Sequence, residues 1–422
     1  MKRSAVFAVA CVVVLATTYI AAIKPAGASA DSWVMRAPIP VPMSVYGAAA
    51  VNGQVYVFGQ DADWKALTYA FDPSNDTWTA KAPMPTLRSD FAVVACQNQI
   101  YAIGGVMSDD SYGNALMTNV NEAYDPSTNS WSTKTPMPTN RTAIQANAVD
   151  NKIYVIGGLI GNMPGPTLTS ANEIYDPSTD TWSIGAPIPT PVFSYVSTVL
   201  DDKIYVIGGE VSDGSCFSSA NQIYNPTTDS WTVGKSLPTL TVQAVCAATT
   251  GVNAPARIYV IGGRLSRPVD ATQIYDASND DWTSGASFPT THDYITEYMT
   301  VAVLDDSLYV IGGLARSNEG FYELTEQYIP ADYQGPVPSP YVPTSSPIPT
   351  SRSSPTVTQS PTSQPSATPN SSHQSTPATS YPETLDANTA LILGATITAV
   401  IVILLTIVVL SRRKNKSSFS GH

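Results

Sequence analysis

The sequence predicts an all-β fold, a six-bladed propeller whose ring is closed by an N-terminal strand, followed by a disordered stalk and one C-terminal transmembrane helix. Three observations carry the propeller. First, one unit recurs six times: Tyr56-Val-Phe-Gly59-Gln60, Tyr101-Ala-Ile-Gly104-Gly105, Tyr154-Val-Ile-Gly157-Gly158, Tyr205-Val-Ile-Gly208-Gly209, Tyr259-Val-Ile-Gly262-Gly263 and Tyr309-Val-Ile-Gly312-Gly313. Their tyrosines lie 45, 53, 51, 54 and 50 residues apart, and a period near fifty with di-glycine after a β-branched strand marks a propeller blade. Second, each of the first five copies is followed by an aromatic residue and then, after six intervening residues, a tryptophan: Phe71 and Trp78, Tyr124 and Trp131, Tyr175 and Trp182, Tyr224 and Trp231, Tyr275 and Trp282. Third, the two ends of the array are incomplete in complementary ways.

Within one unit the strands follow in order. The first is a run of small and apolar residues such as Phe91-Ala-Val-Val-Ala-Cys96, suited to the crowded strand nearest the axis. Turns such as Val51-Asn52-Gly53-Gln54 and Leu200-Asp201-Asp202-Lys203 follow; Asn, Asp and Gly tolerate the positive φ of a two-residue hairpin, so these aspartates read as turn formers and not as metal ligands. The Tyr-Val-Ile run is the second strand, and its glycines permit close backbone approach. Sequences such as Asp176-Pro177-Ser178-Thr179-Asp180-Thr181 make a turn between strands three and four. Strand four opens at the tryptophan and closes on Pro83-Met84-Pro85, Pro136-Met137-Pro138 or Pro187-Ile188-Pro189, acceptable at the outermost edge because proline cannot donate to a ladder. The aromatic pair is expected to clamp neighbouring blades together. At the ends, Trp33-Val-Met-Arg-Ala-Pro38-Ile-Pro40 is a fourth strand with nothing before it, and Thr325-Glu-Gln-Tyr328 is a third strand with no tryptophan after it. Together they complete blade six.

The di-glycine, the Tyr-to-Trp spacing and the Pro-x-Pro segment resemble kelch repeats, and the resemblance covers residues 31–333. Departures are local: Gln60 replaces the second glycine in blade one, and Ala277 replaces a turn proline in blade five.

The flanks predict the topology. Lys2-Arg3, an apolar stretch from Ala5 to Ile23 and Ala28-Ser29-Ala30 read as a signal peptide over residues 1–30, with an uncleaved signal anchor as the alternative. Residues 334–388 turn to Pro, Ser and Thr and predict an extended, disordered stalk. The segment 389–411 contains 21 charge-free residues from Ala390 to Leu410, long enough to span a bilayer. The basic tail 412–422, with Arg412, Arg413, Lys414 and Lys416, then belongs inside and the propeller outside. Residues 31–333 hold 13 Lys and Arg against 31 Asp and Glu, an acidic balance that argues against nucleic-acid binding. Cys96 and Cys246 fall on inner strands on opposite sides of the ring, whereas Cys216 lies in a loop of blade four within reach of Cys246. Asn75, Asn140 and Asn370 head external glycosylation sequons.

Function is expected in loops. The loops between strands two and three differ greatly, at 106–120, 159–171, 210–220, 264–271 and 314–324, and share a face with the connections between blades. Three residues beyond the last proline of each strand four, the six connections carry Met43, Arg88, Arg141, Val192, Thr241 and His292, with Tyr46, Phe91, Phe193, Tyr195 and Tyr294 nearby. Arg88 and Arg141 beside exposed aromatics predict a site for an anionic sugar or carboxylate; pairing with acids such as Asp90 is the structural alternative. The ligand-binding candidates are thus Arg88, Arg141, His292, Tyr46, Phe91, Tyr195 and Tyr294. Some propellers of the kelch type bind copper, which needs at least two imidazoles; His373 and His422 lie in the stalk and tail, leaving His292 alone. The same shortage disfavours zinc and serine-nucleophile sites, so no cofactor, metal or catalytic residue is expected. The resemblance leaves a cofactor-free epimerase or mutarotase of sialic-acid type as the enzymatic alternative, with Arg88, Arg141, His292 and Glu297 as its set. The reading is a monomeric cell-surface propeller that binds an extracellular protein or glycan, with a structural envelope protein as a third possibility.

Overall fold

The computed structural model describes residues 30–108, 115–161, 165–211, 216–264, 269–289, 299–313 and 323–336, together with Tyr341. The signal, the rest of the stalk, the apolar segment, the tail, Asn370, His292, Tyr294 and Glu297 lie outside them. Among the described residues all regular structure is β, and six four-stranded antiparallel sheets form the six blades. Blade two shows the repeat, with strands at Ala92–Cys96, Gln99–Ile103, Asn121–Asp125 and Ser130–Thr133 running in that order from the first to the fourth. Blade six takes its fourth strand from the N-terminal side: Ser32–Met35 pairs with Thr325–Ile329, setting Trp33 opposite Tyr328. The ring is therefore closed as the sequence predicted.

Among the described residues, six apolar clusters are each shared by adjacent blades, and a smaller seventh gathers Ala254, Ile329 and Tyr333. The aromatic pairs act as expected. Each blade tryptophan packs on the aromatic residue opposite it, Tyr175 and Trp182 at 5.0 Å between rings. Its indole also donates to a carbonyl of the preceding blade: Trp78 to Ala37 at 2.8 Å, Trp131 to Ala82 at 2.9 Å, Trp182 to Thr135 at 2.9 Å, Trp231 to Ala186 at 3.0 Å, Trp282 to Lys235 at 2.8 Å and Trp33 to Ala286 at 3.1 Å. The residue between the prolines is the anchor of that segment, as Met84, Met137 and Ile188 are all buried.

A second latch was not legible as such. The last residue of the third-to-fourth turn, Asp229 in blade four, accepts from the Ala186 N–H of the preceding blade at 2.6 Å and from the Tyr224 hydroxyl at 2.5 Å. Asp180, Asp280 and Asn129 do the same in their blades, and Asp31 closes the ring by accepting from Ala286 N–H and Tyr328. These bonds hold the Asp180 and Asp280 carboxyls, with the tyrosine contact first, and Asp229, with the backbone contact first, below the ordinary 3.8. A depressed carboxyl contributes stability in full above its unfolded pKa and loses it as pH falls through the folded value, so the ring should loosen in acid. Asp229→Ala is expected to cost ~1–2 kcal/mol, the exposure of the group keeping the loss at the lower end for charged hydrogen bonds. Asp229→Asn should cost much less, because Asn129 already fills both acceptor roles. Urea denaturation of the two variants checks the difference.

The di-glycines mark the end of the second strand. Gly104 and Gly105 have φ of +68° and +102°, and a Cβ on Gly105 would meet Ser89 O at 2.5 Å. Gly105 N–H donates to Arg141 O of the next blade at 2.8 Å, so the glycines bring the blade against its neighbour's connection. In blade one, where Gln60 replaces the second glycine, the second and third strands instead stay paired as far as Gln60 opposite Ala66.

Bridges of Ser89 to Val106, Thr142 to Leu159 and Val242 to Arg264 tie the inter-blade connections to the second-to-third loops, which places both on one face. The opposite face carries the tight turns and one longer excursion between Ala248 and Ile258 of blade five. Asp306 holds it, accepting from the N–H groups of Thr250, Val252, Asn253 and Ala254 at 2.5–3.2 Å. The chain leaves the ring on this face, where Gln334 N–H donates to Asn253 O at 2.6 Å and Tyr333 packs on Ala254. Cys246 and Cys216 form no disulfide, so the proximity expected from their loop and strand does not become a bond.

Candidate functional site

The six first strands enclose a central channel of about 560 Å³. Its wall is small and uncharged: Ala48, Val93, Ala95, Val199, Ala248 and Val301 alternate with Asn147, Ser197 and Cys246. Asn147 donates to Ser197 Oγ at 2.8 Å across neighbouring strands. On the face of the variable loops the channel opens into a mouth of about 190 Å³. Tyr46, Phe91, Gln145, Ala244 and Met299 line both cavities.

The mouth is built by one repeated conformation. Asp90, Ala143, Ser194 and Gln243 occupy matching places in the connections into blades two to five, and all four have left-handed φ between 50° and 56°. All four also line the mouth. Such conformations are costly for residues with a Cβ and persist only where the surroundings enforce them. Backbone bonds between blades do so here: Ala143 N–H donates to Asp90 O at 3.2 Å and Ser194 N–H to Ala143 O at 3.3 Å. The turn they impose directs position 90 toward the opening and the residue two places before it inward.

That geometry corrects the expectation of an exposed arginine pair. Arg88 and Arg141 are 2% and 0% exposed. Arg88 donates to Glu122 at 2.6 Å, to Ala102 O at 2.8 Å and to Thr86 O at 2.9 Å; Arg141 donates to Glu173 at 2.7 Å and to Gly157 O at 2.9 Å. Burial lowers both guanidinium pKa values, and the paired carboxylate works against that shift. These arginines pin each connection to its own third strand, and their partners are glutamates of that strand, not Asp90. Met43, Val192 and Thr241, the equivalent residues of other blades, are buried too.

The aromatics divide. Tyr46 is half-buried and meets Phe91 edge-on at 6.1 Å. Phe91 is buried, lies 5.3 Å from the Arg88 guanidinium carbon and shows only its rim to the mouth. Tyr195 is buried beneath it, donating to Ile156 O and accepting from Gln145 N–H at 3.2 Å, and burial pushes its phenol up to about 12. Asn75 and Asn140 are exposed; Thr77 Oγ donates to Asn75 at 2.5 Å. One aromatic on the same face was overlooked: Trp64, the tryptophan outside the blade motif, is 63% exposed at the tip of the blade-one loop with φ 61°. Its lack of a blade partner in the sequence was the available signal.

Glu326 occupies in blade six the place of Glu122 and Glu173. It is 5% exposed, and burial pushes its carboxyl up to about 7 from 4.5. A carboxyl raised in the folded state costs nothing below its unfolded pKa, and its penalty grows as pH climbs to the folded value. Glu326→Gln, which copies Gln222 and Gln273 at the same place in blades four and five, is expected to stabilise by about 2–3 kcal/mol at pH 8 and by little at pH 4. Thermal melts at the two pH values check this.

Comparison with known proteins agrees with this architecture. The KLHDC2/KLHL20/DRC7 Kelch-repeats domain matches residues 27–209 and 90–313. Kelch-like protein 35 of Mus musculus is 32% identical over 93 residues, covering 22% of this chain and 15% of that protein. Kelch-like protein 15 of Danio rerio is 26% identical over 207 residues, covering 45% and 33%. The chain thus spans about a third or less of the length of these curated relatives. The solved structure of YjhT superposes with a TM-score of 0.59 at 18% identity, covering 70% of this chain and 96% of that one, a likeness of fold. With repeats, closure and family match in agreement, the chain belongs to the kelch-repeat β-propeller family.

Proposed function

We propose that the protein is a membrane-anchored, cell-surface binding protein that recognises an extracellular protein or glycan through the face bearing the channel mouth, without catalysis. The observation that carries this is the convergence on one face of a preorganised ring of left-handed residues, a cavity and loops that differ from blade to blade. The charge-free span at 390–410 and the basic residues after it support the anchor, and exposure of Asn75 and Asn140 fits sugars on an external domain. The epimerase alternative loses its support, since Arg88 and Arg141 are committed to Glu122 and Glu173. Glycan and cell-surface-protein arrays probed with the full-length chain test the reading. A ligand captured by the wild type and lost on Gln145→Trp, which fills the mouth, supports it; capture indifferent to a filled mouth refutes it.

A further inference from the structure

The chemistry of the mouth is the reverse of what exposed arginines would have made it. Among the described residues that line it, Asp90 is the one charged side chain. The Asp90 carboxylate opens to solvent along the channel, yet it sits inside the mouth with protein around it, and this desolvation raises its pKa. The hydroxyl of its neighbour Ser89 donates to it at 3.0 Å. An anion so placed gains from any cation that enters. The position is fixed, because Asp90 O accepts from Ala143 N–H at 3.2 Å and Thr142 Oγ at 3.4 Å. The Tyr46 and Phe91 rings also line the mouth, and on the next two blades the exposed amide of Gln145 and the hydroxyl of Ser194 supply further acceptors. Below, the uncharged channel wall suits the aliphatic stem of a long side chain. The surrounding domain, with 31 acidic against 13 basic residues over 31–333, draws cations toward it.

We infer that the mouth receives the guanidinium or ammonium group of a partner protein, ion-paired with Asp90 and set against Tyr46, its stem entering the channel. This deepens the proposed function and rests on it: the ligand class becomes a basic protein segment. An anionic glycan is disfavoured by Asp90, and a neutral one would leave that carboxylate without a counter-charge.

The test uses the full-length chain in detergent at physiological salt, with fluorescein-labelled hexa-arginine and hexa-glutamate peptides as probes and fluorescence polarisation as the readout. Asp90→Asn removes the charge while keeping a residue that tolerates left-handed φ. Asp202→Asn makes the same change in a turn on the opposite face, at φ 55°. Hexa-arginine should bind the wild type, lose on the order of tenfold in affinity with Asp90→Asn and change by less than about twofold with Asp202→Asn. Equal losses in both variants, failure of hexa-arginine to bind, or preference for hexa-glutamate would overturn the assignment. If Gln145→Trp blocks hexa-arginine while Asp90→Asn does not, the mouth stays a binding surface and only the cationic assignment falls. If neither variant matters, both fall.

Discussion

Removal of residues 31–40 is expected to be the most damaging change short of disrupting a whole blade. It takes away Trp33, whose ring packs edge-on against Phe288 at 4.9 Å and Tyr328 at 5.0 Å, and the strand paired with Thr325–Ile329. It also removes Asp31, the acceptor for Ala286 N–H and Tyr328, and the buried anchor Ile39. Loss of a fully buried aromatic costs about 3–5 kcal/mol; Trp33 is partly buried and contributes less by itself, but with the strand pairing, Asp31 and Ile39 the combined loss is comparable to the net stability of many domains. The third strand of blade six would become an open edge that templates pairing between molecules. The expected result is a large fall in melting temperature with soluble aggregates in size-exclusion chromatography. A truncated chain that remains monomeric with an unchanged melting temperature would mean that the ring closes in another way.

The second large effect concerns the buried ion pairs. Arg141→Val strips Glu173 of its counter-charge in a site where the carboxylate is 5% exposed, and breaking a buried pair from one side costs about 3–5 kcal/mol. Blade four contains the remedy. There the same two places hold Val192 and Gln222, and Gln222 accepts from Thr190 N–H at 2.9 Å and donates to Thr190 O at 3.0 Å. Arg141→Val with Glu173→Gln imports that solution, since Thr139 stands where Thr190 does, and should recover most of the loss. Chemical denaturation of the single and double variants measures the coupling. If the double variant is no more stable than Arg141→Val, the arginine acts through something other than its glutamate.

Fold and site differed in how much the sequence disclosed. The blades were legible because their signals repeat: di-glycine, tyrosine, tryptophan and Pro-x-Pro each recur at a fixed place, and Trp33 and Tyr328 complete one another. The orientation of the connections was not legible from Arg88 and Arg141 alone, because arginine is usually an exposed residue. Their register was the better guide. Met43 and Val192 at the same place mark it as interior, and the third strand carries Glu122 and Glu173 in the two blades whose connections carry arginine, Gln222 and Gln273 in blades four and five, and Glu326 in blade six, whose connection carries His292. The left-handed conformation at the mouth had no sequence signal, for Asp90, Ala143, Ser194 and Gln243 share no side-chain chemistry, and the first three are linked by backbone bonds between blades. The aspartate latch was half visible: its residue reads as a turn former, while its bond across to the preceding blade depends on the assembled ring.

The central claim is that the face bearing the mouth, and not the face of the tight turns, meets the partner. Site-specific photocrosslinking of the full-length protein in its own cells tests this most directly, with benzoylphenylalanine at Gln145 in the mouth and, separately, at Asp202 on the opposite face. The account predicts a discrete crosslinked partner from position 145 and none from position 202. A partner trapped from position 202 with none from position 145 would contradict it.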